Sequence, residues 1–202
     1  MRLSLAEELR HILSGNRRKL EIAKPPALTG DCSGMDTTID QENDGRHDFD
    51  CYLGTWNVFN RRLARRLVGS RKWEEFNATS DVRAVLGGIG NVEEYRSVFP
   101  DGQPLVGMTV RVFDPSTRLW SLYWADSRHG QLAPPVVGRF QNGIGEFLGD
   151  DLQDDVPVKV LFRWSEMSPI FARWEQAKSA DGGETWEWNW EMIFTRDSSS
   201  AR

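Results

Sequence analysis

Large apolar side chains occupy every second residue of Trp186-Glu187-Trp188-Asn189-Trp190-Glu191-Met192-Ile193-Phe194. Strand side chains alternate faces, so this spacing sets Trp186, Trp188, Trp190, Met192 and Phe194 on one face at steps of about 7 Å. Leu119–Arg128 repeats the pattern: Trp120 and Trp124 share a face that ends in Asp126 and Arg128. Phe162 with Trp164, and Trp174 with Gln176, do the same in two later stretches, Val158–Ser165 and Ala172–Ser179. Turn chemistry divides these stretches, as at Asp114-Pro115-Ser116-Thr117, Gln141-Asn142-Gly143, Asp150–Asp155 and Ala180-Asp181-Gly182-Gly183. The pattern predicts about ten strands, with turns near Asn60–Leu67 and Met167–Ile170 and no helix between them. An even run of hairpins with long strands predicts an all-β fold, an up-and-down antiparallel barrel whose closure leaves no edge exposed.

Upstream the pattern changes. Leu3, Leu5, Leu9, Ile12 and Leu13 fall near helical spacing, which predicts a short amphipathic helix over residues 3–13. Residues 23–48 carry Pro25-Pro26, Gly30, Gly34 and an acidic run, the composition of a linker. The chain therefore divides into an N-terminal extension (1–47), a barrel domain (48–197) and a short tail (198–202).

Charge refines this picture. The net charge of −5 argues against a general nucleic-acid surface, which would need a basic stripe. Residues 1–24 carry six Lys/Arg against three acids, and residues 31–50 carry seven acids against Arg46 alone. No run approaches the roughly 18 apolar residues of a membrane-spanning helix. Acidic Glu7 and Glu8 interrupt the N-terminal stretch before a secretory signal forms, so a cytoplasmic location is expected. Cys32 and Cys51 read as reduced thiols, and no Cys/His cluster has zinc spacing. No cofactor or metal is implied.

Leu53-Gly54-Thr55-Trp56 resembles the Gly-x-Trp opening of lipocalins. In that family the tryptophan plugs the closed end of the barrel and an arginine after the last strand lies over its ring. Gly54, Trp56 and Arg196, in Phe194-Thr195-Arg196, are the matching residues, and a guanidinium over an indole is a favourable cation–π contact. Val106–Pro115, Tyr123-Trp124-Ala125-Asp126-Ser127-Arg128, Arg173-Trp174-Glu175-Gln176 and Ser179–Trp186 are similar to a family of bacterial lipocalin-like (calycin) domains of uncharacterised function. The resemblance spans about residues 48–196 and implies a barrel without implying an activity.

With Trp56 turned inward, alternation places Trp120, Trp124, Asp126, Arg128, Trp164, Trp174, Gln176, Trp188 and Trp190 in the lumen, and Glu187, Asn189 and Glu191 outside. These inward residues are the candidate ligand contacts. Asp126 and Arg128 form either a salt bridge at the barrel mouth or a polar handle for a ligand. Gly87-Gly88-Ile89-Gly90 lacks the Gly-Lys-Ser/Thr of a phosphate loop and reads as a tight turn that sets Asn91 and Glu93 at the rim. His129 is the sole histidine of the domain and reads as solvated beside Gly130. Catalysis, if present, falls to a carboxylate in an aromatic cage, Asp126 or Glu75 (beside Trp73), with its pKa raised by desolvation.

Three functions fit these residues. The first is binding of a small hydrophobic or aromatic molecule in a Trp-lined cavity. The second is a cofactor-free cyclase, isomerase or dehydratase of specialised metabolism, and the third an interaction module that recruits a partner through the N-terminal helix. Tyr123 and Ile193, on the outer face, offer apolar surface for a homodimer.

Overall fold

Inward-facing side chains alternate with solvated ones along nearly every strand, and that alternation closes the sheet on itself. The structure is a computed structural model describing residues 44–196. The expected helix over residues 3–13 and most of the acidic linker lie outside the described residues, as does the tail. Ten strands form one closed antiparallel barrel: β1 (Gly54–Leu63), β2 (Trp73–Val85), β3 (Gly90–Val98), β4 (Pro104–Asp114), β5 (Leu119–Asp126), β6 (Val136–Gln141), β7 (Ile144–Gln153), β8 (Val156–Ser165), β9 (Phe171–Ser179) and β10 (Glu187–Thr195). Each strand pairs with its neighbour in sequence, and β1 against β10, from Asn57↔Thr195 to Arg62↔Trp190, completes the ring. On β2, Phe76, Ala78, Ser80 and Val82 are buried between exposed Glu75, Asn77, Thr79 and Asp81.

The turns follow local chemistry. Asn142 and Gly143 both have positive φ (53° and 79°), the conformation of a tight two-residue hairpin. Asp154 and Asp155 do the same at 50° and 63°, so β7 continues to Gln153. The acid-rich stretch expected to be a connection is thus mostly strand, its outward Asp150 paired with Lys159 across the ladder. Likewise the turn expected near Asn60–Leu67 begins only after Leu63. Asn60 and Arg62 are polar residues on the inward side, which hides a strand from a hydrophobic pattern.

One end of the barrel is sealed from within. A single 3-10 turn, Asp50–Tyr52, precedes β1, and Phe49 and Tyr52 are buried in the aromatic core. Phe49 meets Trp120, Phe140 and Trp164 edge-on at 5.1, 5.1 and 5.6 Å between ring centroids. Tyr52 stacks on Trp56 at 5.4 Å and meets the edges of Trp164 and Phe194 at 4.8 and 5.3 Å. Such pairs add about 0.5–1.5 kcal/mol each beyond the area they bury. Two of the three indole handles are satisfied at the same time: Trp56 Nε1 donates to the Tyr52 carbonyl (2.7 Å) and Trp120 Nε1 to that of Gly45 (2.9 Å), while Trp164 Nε1 is buried without a partner.

Beneath the plug lies a buried charge pair. The Arg111 guanidinium donates to Glu93 and to Asn91 Oδ1 (2.9 Å), while Ser80 and the Tyr52 hydroxyl donate to the other Glu93 oxygen (2.6 and 2.8 Å). Burial alone would raise the Glu93 pKa, yet the Arg111 charge and these donors hold it below the ordinary value. Tyr52 is pushed well up by burial and then by the Glu93 charge, so it stays a donor. Asn91 and Glu93 were expected at a rim. They are buried at the closed end because the glycine turn after β2 lies at that end, and their polarity answers Arg111.

Arg196 locks this end from outside. Its guanidinium carbon lies 4.0 Å from the centre of the Trp56 ring, and its nitrogens donate to the carbonyls of Cys51, Leu53 and Pro169. Gly54, at φ 105°, makes room: a Cβ there would lie 2.6 Å from the guanidinium.

Two stability experiments follow from the closed end. Glu93→Gln leaves Arg111 buried without a counter-charge and is expected to cost about 3–5 kcal/mol in chemical unfolding, with Glu93→Gln/Arg111→Met recovering part of it; an unchanged midpoint would refute the role given to the pair. Asp48 is raised from 3.8 to about 6, first by burial and then by Asp44 and Asp50. The folded state therefore holds that proton more tightly, and the stability it contributes is present below about pH 4 and lost as pH rises through about 6. Asp48→Asn should melt progressively higher than the parent between pH 4 and 7; a difference constant with pH would disprove the assignment.

Candidate functional site

The opposite half of the lumen, where β1, β3, β5, β7 and β9 finish, is built differently. Its rings meet edge to face at the border of the same core: Phe162 with Trp174 at 4.9 Å, Trp174 with Trp190 at 5.7 Å, Phe76 with Phe99 at 5.0 Å and Tyr95 with Trp124 at 6.3 Å. Trp124, Phe162 and Trp190 keep part of their surface exposed. Polar groups run between them. Tyr95 Oη and Trp190 Nε1 both donate to Asn60 Oδ1, at 2.8 and 3.1 Å, and Gln176 Nε2 donates to Asn189 Oδ1 at 2.8 Å. Burial raises the Tyr95 pKa, so the hydroxyl remains protonated. The Nδ2 group of Asn60 has no partner.

Arginine side chains cross this aromatic floor. The Arg62 guanidinium lies over Phe99 (4.2 Å), Trp190 (5.3 Å) and Phe76 (5.6 Å). Arg66 lies over the same Trp190 ring at 5.7 Å, and Arg128 over Phe99 at 4.7 Å. Sequence reasoning passed over Arg62 and Arg66 because a basic pair after an alternating run reads as a solvated turn. The one sequence signal for Arg62 is the inward register it shares with Trp56, Val58 and Asn60, and Arg66, beyond the end of β1 at Leu63, has none.

The expected lumen residues separate into three groups. Trp124, Trp174, Gln176 and Trp190 meet in the open half, with Arg128 above them. Trp120 and Trp164 are buried in the closed-end plug, far along the chain direction from the mouth. Trp188 faces outward, with Arg163 over its ring at 4.5 Å. A bulge between Trp188 and Trp190 reverses the alternation there, which turns Asn189 inward and fully buries it. Trp186 precedes β10 and donates to the Gly183 carbonyl in the preceding turn.

Asp126 and Arg128 do not pair through their side chains. The carboxylate accepts from the backbone N–H groups of Arg128 and His129 (2.9 and 3.0 Å), contacts the His129 ring and receives Trp124 Nε1 at 3.4 Å. Burial pulls its pKa up, but these donors prevail and hold it below the ordinary value. That is the reverse of the raised acid that catalysis by Asp126 requires. Glu75 sits on the exposed face of β2, outside any aromatic cage, and Trp73 beside it is covered by Arg61 at 4.7 Å. Among the described residues no group of His, Cys, Asp and Glu is arranged for a metal ion, and no helix is long and apolar enough to cross a membrane.

A surface concavity of about 560 Å³ lies elsewhere, on the outer faces of β1, β2 and β3. Solvated Asn57, Asn77, Thr79 and Arg96 line it together with half-exposed Phe59. Of its lining residues Ser97 is polar and buried. Tyr123 and Ile193 are half-buried on the outer wall.

The closed ring of ten antiparallel strands, capped at one end, is an up-and-down β-barrel. No family model matches it, and no curated protein matches it. Among solved structures it is similar to the S-type phycobiliprotein lyase of Guillardia theta, at 13% identity and a TM-score of 0.52, covering 77% of this chain and 96% of the other. It is also similar to EF1p2_mFAP2b bound to DFHBI, at 11% identity and a TM-score of 0.41, covering 76% and 99%. At these identities the likeness is one of fold: a ten-strand, lipocalin-like barrel.

Trp124 lies across β4 at Gly107, where a Cβ would fall 2.0 Å from the indole. Gly107→Ala is expected to displace that ring, altering the near-ultraviolet circular dichroism and costing about 1–3 kcal/mol. An unaltered spectrum with parental stability would contradict this placement.

Proposed function

We propose that the barrel binds a small hydrophobic or aromatic molecule in the open half of its lumen. The observation that carries this reading is the contrast between the two halves. In the closed half the rings interlock around Phe49 and Tyr52. In the open half, Trp124, Phe162 and Trp190 stay partly exposed beside Asn60 Nδ2, a buried donor without a partner. Binding sites combine an apolar wall with a few convergent polar groups in this way. Trp174 and Trp190 supply flat faces for the ligand, and Trp124 closes the wall opposite Tyr95. The proposed kinship with a bacterial lipocalin-like family rests on the stretches Val106–Pro115, Tyr123–Arg128, Arg173–Gln176 and Ser179–Trp186.

The fold shared with the Guillardia theta lyase hosts unrelated chemistries, so the site and not the fold supports this reading. Turnover by a cage carboxylate loses its candidates, since Asp126 is held ionised by its own turn and Glu75 faces solvent.

Titration with the uncharged dye N-phenyl-1-naphthylamine tests the proposal. The parent should bind one dye per barrel with enhanced emission. Trp174→Ala and Trp190→Ala should each weaken it by about tenfold, roughly 1.4 kcal/mol, while Trp188→Ala on the outer wall should change it less than about twofold. Failure of the parent to bind, or equal effects at all three tryptophans, would overturn the lumen as the site.

A further inference from the structure

Positive charge is concentrated where the barrel opens. Residues 61–72 contain Arg61, Arg62, Arg65, Arg66, Arg71 and Lys72 and no acid, in a chain whose net charge is −5. Two of the six turn back over the lumen. Arg62 and Arg66 share the ring of Trp190, at 5.3 and 5.7 Å, and Arg62 shares the ring of Phe99 with Arg128, at 4.2 and 4.7 Å. Three guanidinium groups are therefore held by two rings.

Asp151, Asp154 and Glu187 act on Arg66 from a distance, and Glu74 pairs with Arg62, but none of them forms an ion pair with Arg66. Glu74 approaches Arg62 only to 3.7 Å. Asp151 is engaged by Lys178 at 2.9 Å, Glu187 accepts from the Leu67 backbone, and Asp126 is spent on its own turn. Among the described residues no carboxylate lies within ion-pair distance of Arg66 or Arg128. The Nε atoms of both Arg62 and Arg66 are buried without a hydrogen-bond partner. Burial, followed by the charge of Arg62, lowers Arg66 to about 10, and burial lowers Arg62 as well. Crowded, desolvated cations of this kind gain most from a bound anion. A guanidinium presents a planar fork of donors that matches an oxyanion of carboxylate type.

We infer that the ligand of the open half carries a carboxylate-type oxyanion, which sits between Arg62 and Arg66 with Arg128 at the rim, while its aromatic body lies against Trp174 and Trp190. This rests on the reading of the open half as a ligand site. The remaining basic residues of 61–72 form a positive approach that draws anions toward the mouth.

Two dyes that share one body separate the inference from the reading beneath it. N-Phenyl-1-naphthylamine is neutral, and 1-anilinonaphthalene-8-sulfonate adds a single oxyanion to the same rings. Both are titrated to the parent, to Arg66→Gln and to Arg62→Gln/Arg66→Gln, with fold monitored by circular dichroism. The sulfonate dye is expected to bind the parent at least about tenfold more tightly than the neutral one. Arg66→Gln should reduce that advantage several-fold and the double variant abolish it, the advantage being read as the ratio of the two dye affinities within each variant. Should the double variant fail to fold, Arg66→Gln and the loss of the sulfonate advantage in high salt decide the matter. Equal affinity of the two dyes for the parent, or an advantage that survives in Arg66→Gln and in high salt, overturns the oxyanion site and leaves the lumen reading standing. Binding of neither dye overturns both.

Discussion

A charge buried in a barrel has to be answered from within the barrel, and the Arg111–Glu93 pair sets the terms for everything around it. Arg111 is held among the rings of Phe49, Tyr52 and Trp164, at 5.2, 5.1 and 5.3 Å. Without Glu93 it would be an uncompensated cation in an apolar interior, which costs a large share of the stability a domain has. Ser80 and Tyr52 are present because the carboxylate needs donors, and Tyr52 is within reach because a 3-10 turn delivers it from outside the strands. The aromatic plug packs onto this polar knot. One electrostatic requirement thus fixes which end is shut.

That division explains how far the sequence could be read. Period-two patterning and turn residues give the ring of strands, because alternation is what a closed sheet demands of every member. Gly54, Trp56 and Arg196 are legible for the same reason: a glycine at positive φ, an indole and a cation each have one geometry that suits all three. Interior polar residues are another matter. Arg62, Arg111, Asn60 and Asn189 look like surface residues in sequence, and only their partners across the lumen reveal their side. Phe49 and Tyr52 precede the first strand, so no periodicity announces that they fill the core.

The β10 bulge shows the limit most plainly. From Phe194 back to Trp190 the alternation holds, and one extra residue then exchanges Trp188 for Asn189. The exchange has a local cause. Gln176 faces that level of the lumen and needs a polar partner, which an amide supplies and an indole's single donor does not. Buried polar requirements, not hydrophobic ones, decide the exceptions to the pattern throughout this molecule.

Ring closure between the first and last strands also shapes how such a chain comes into being. The ladder from Asn57↔Thr195 to Arg62↔Trp190 joins residues far apart in sequence, and the Arg196 clasp on Cys51 and Leu53 spans the same distance. During synthesis nine strands emerge before the tenth is available, leaving a curled sheet with two unpaired edges and its tryptophans uncovered. The most aggregation-prone moment in the life of this protein therefore falls just before the ribosome delivers Trp190, Phe194 and Arg196.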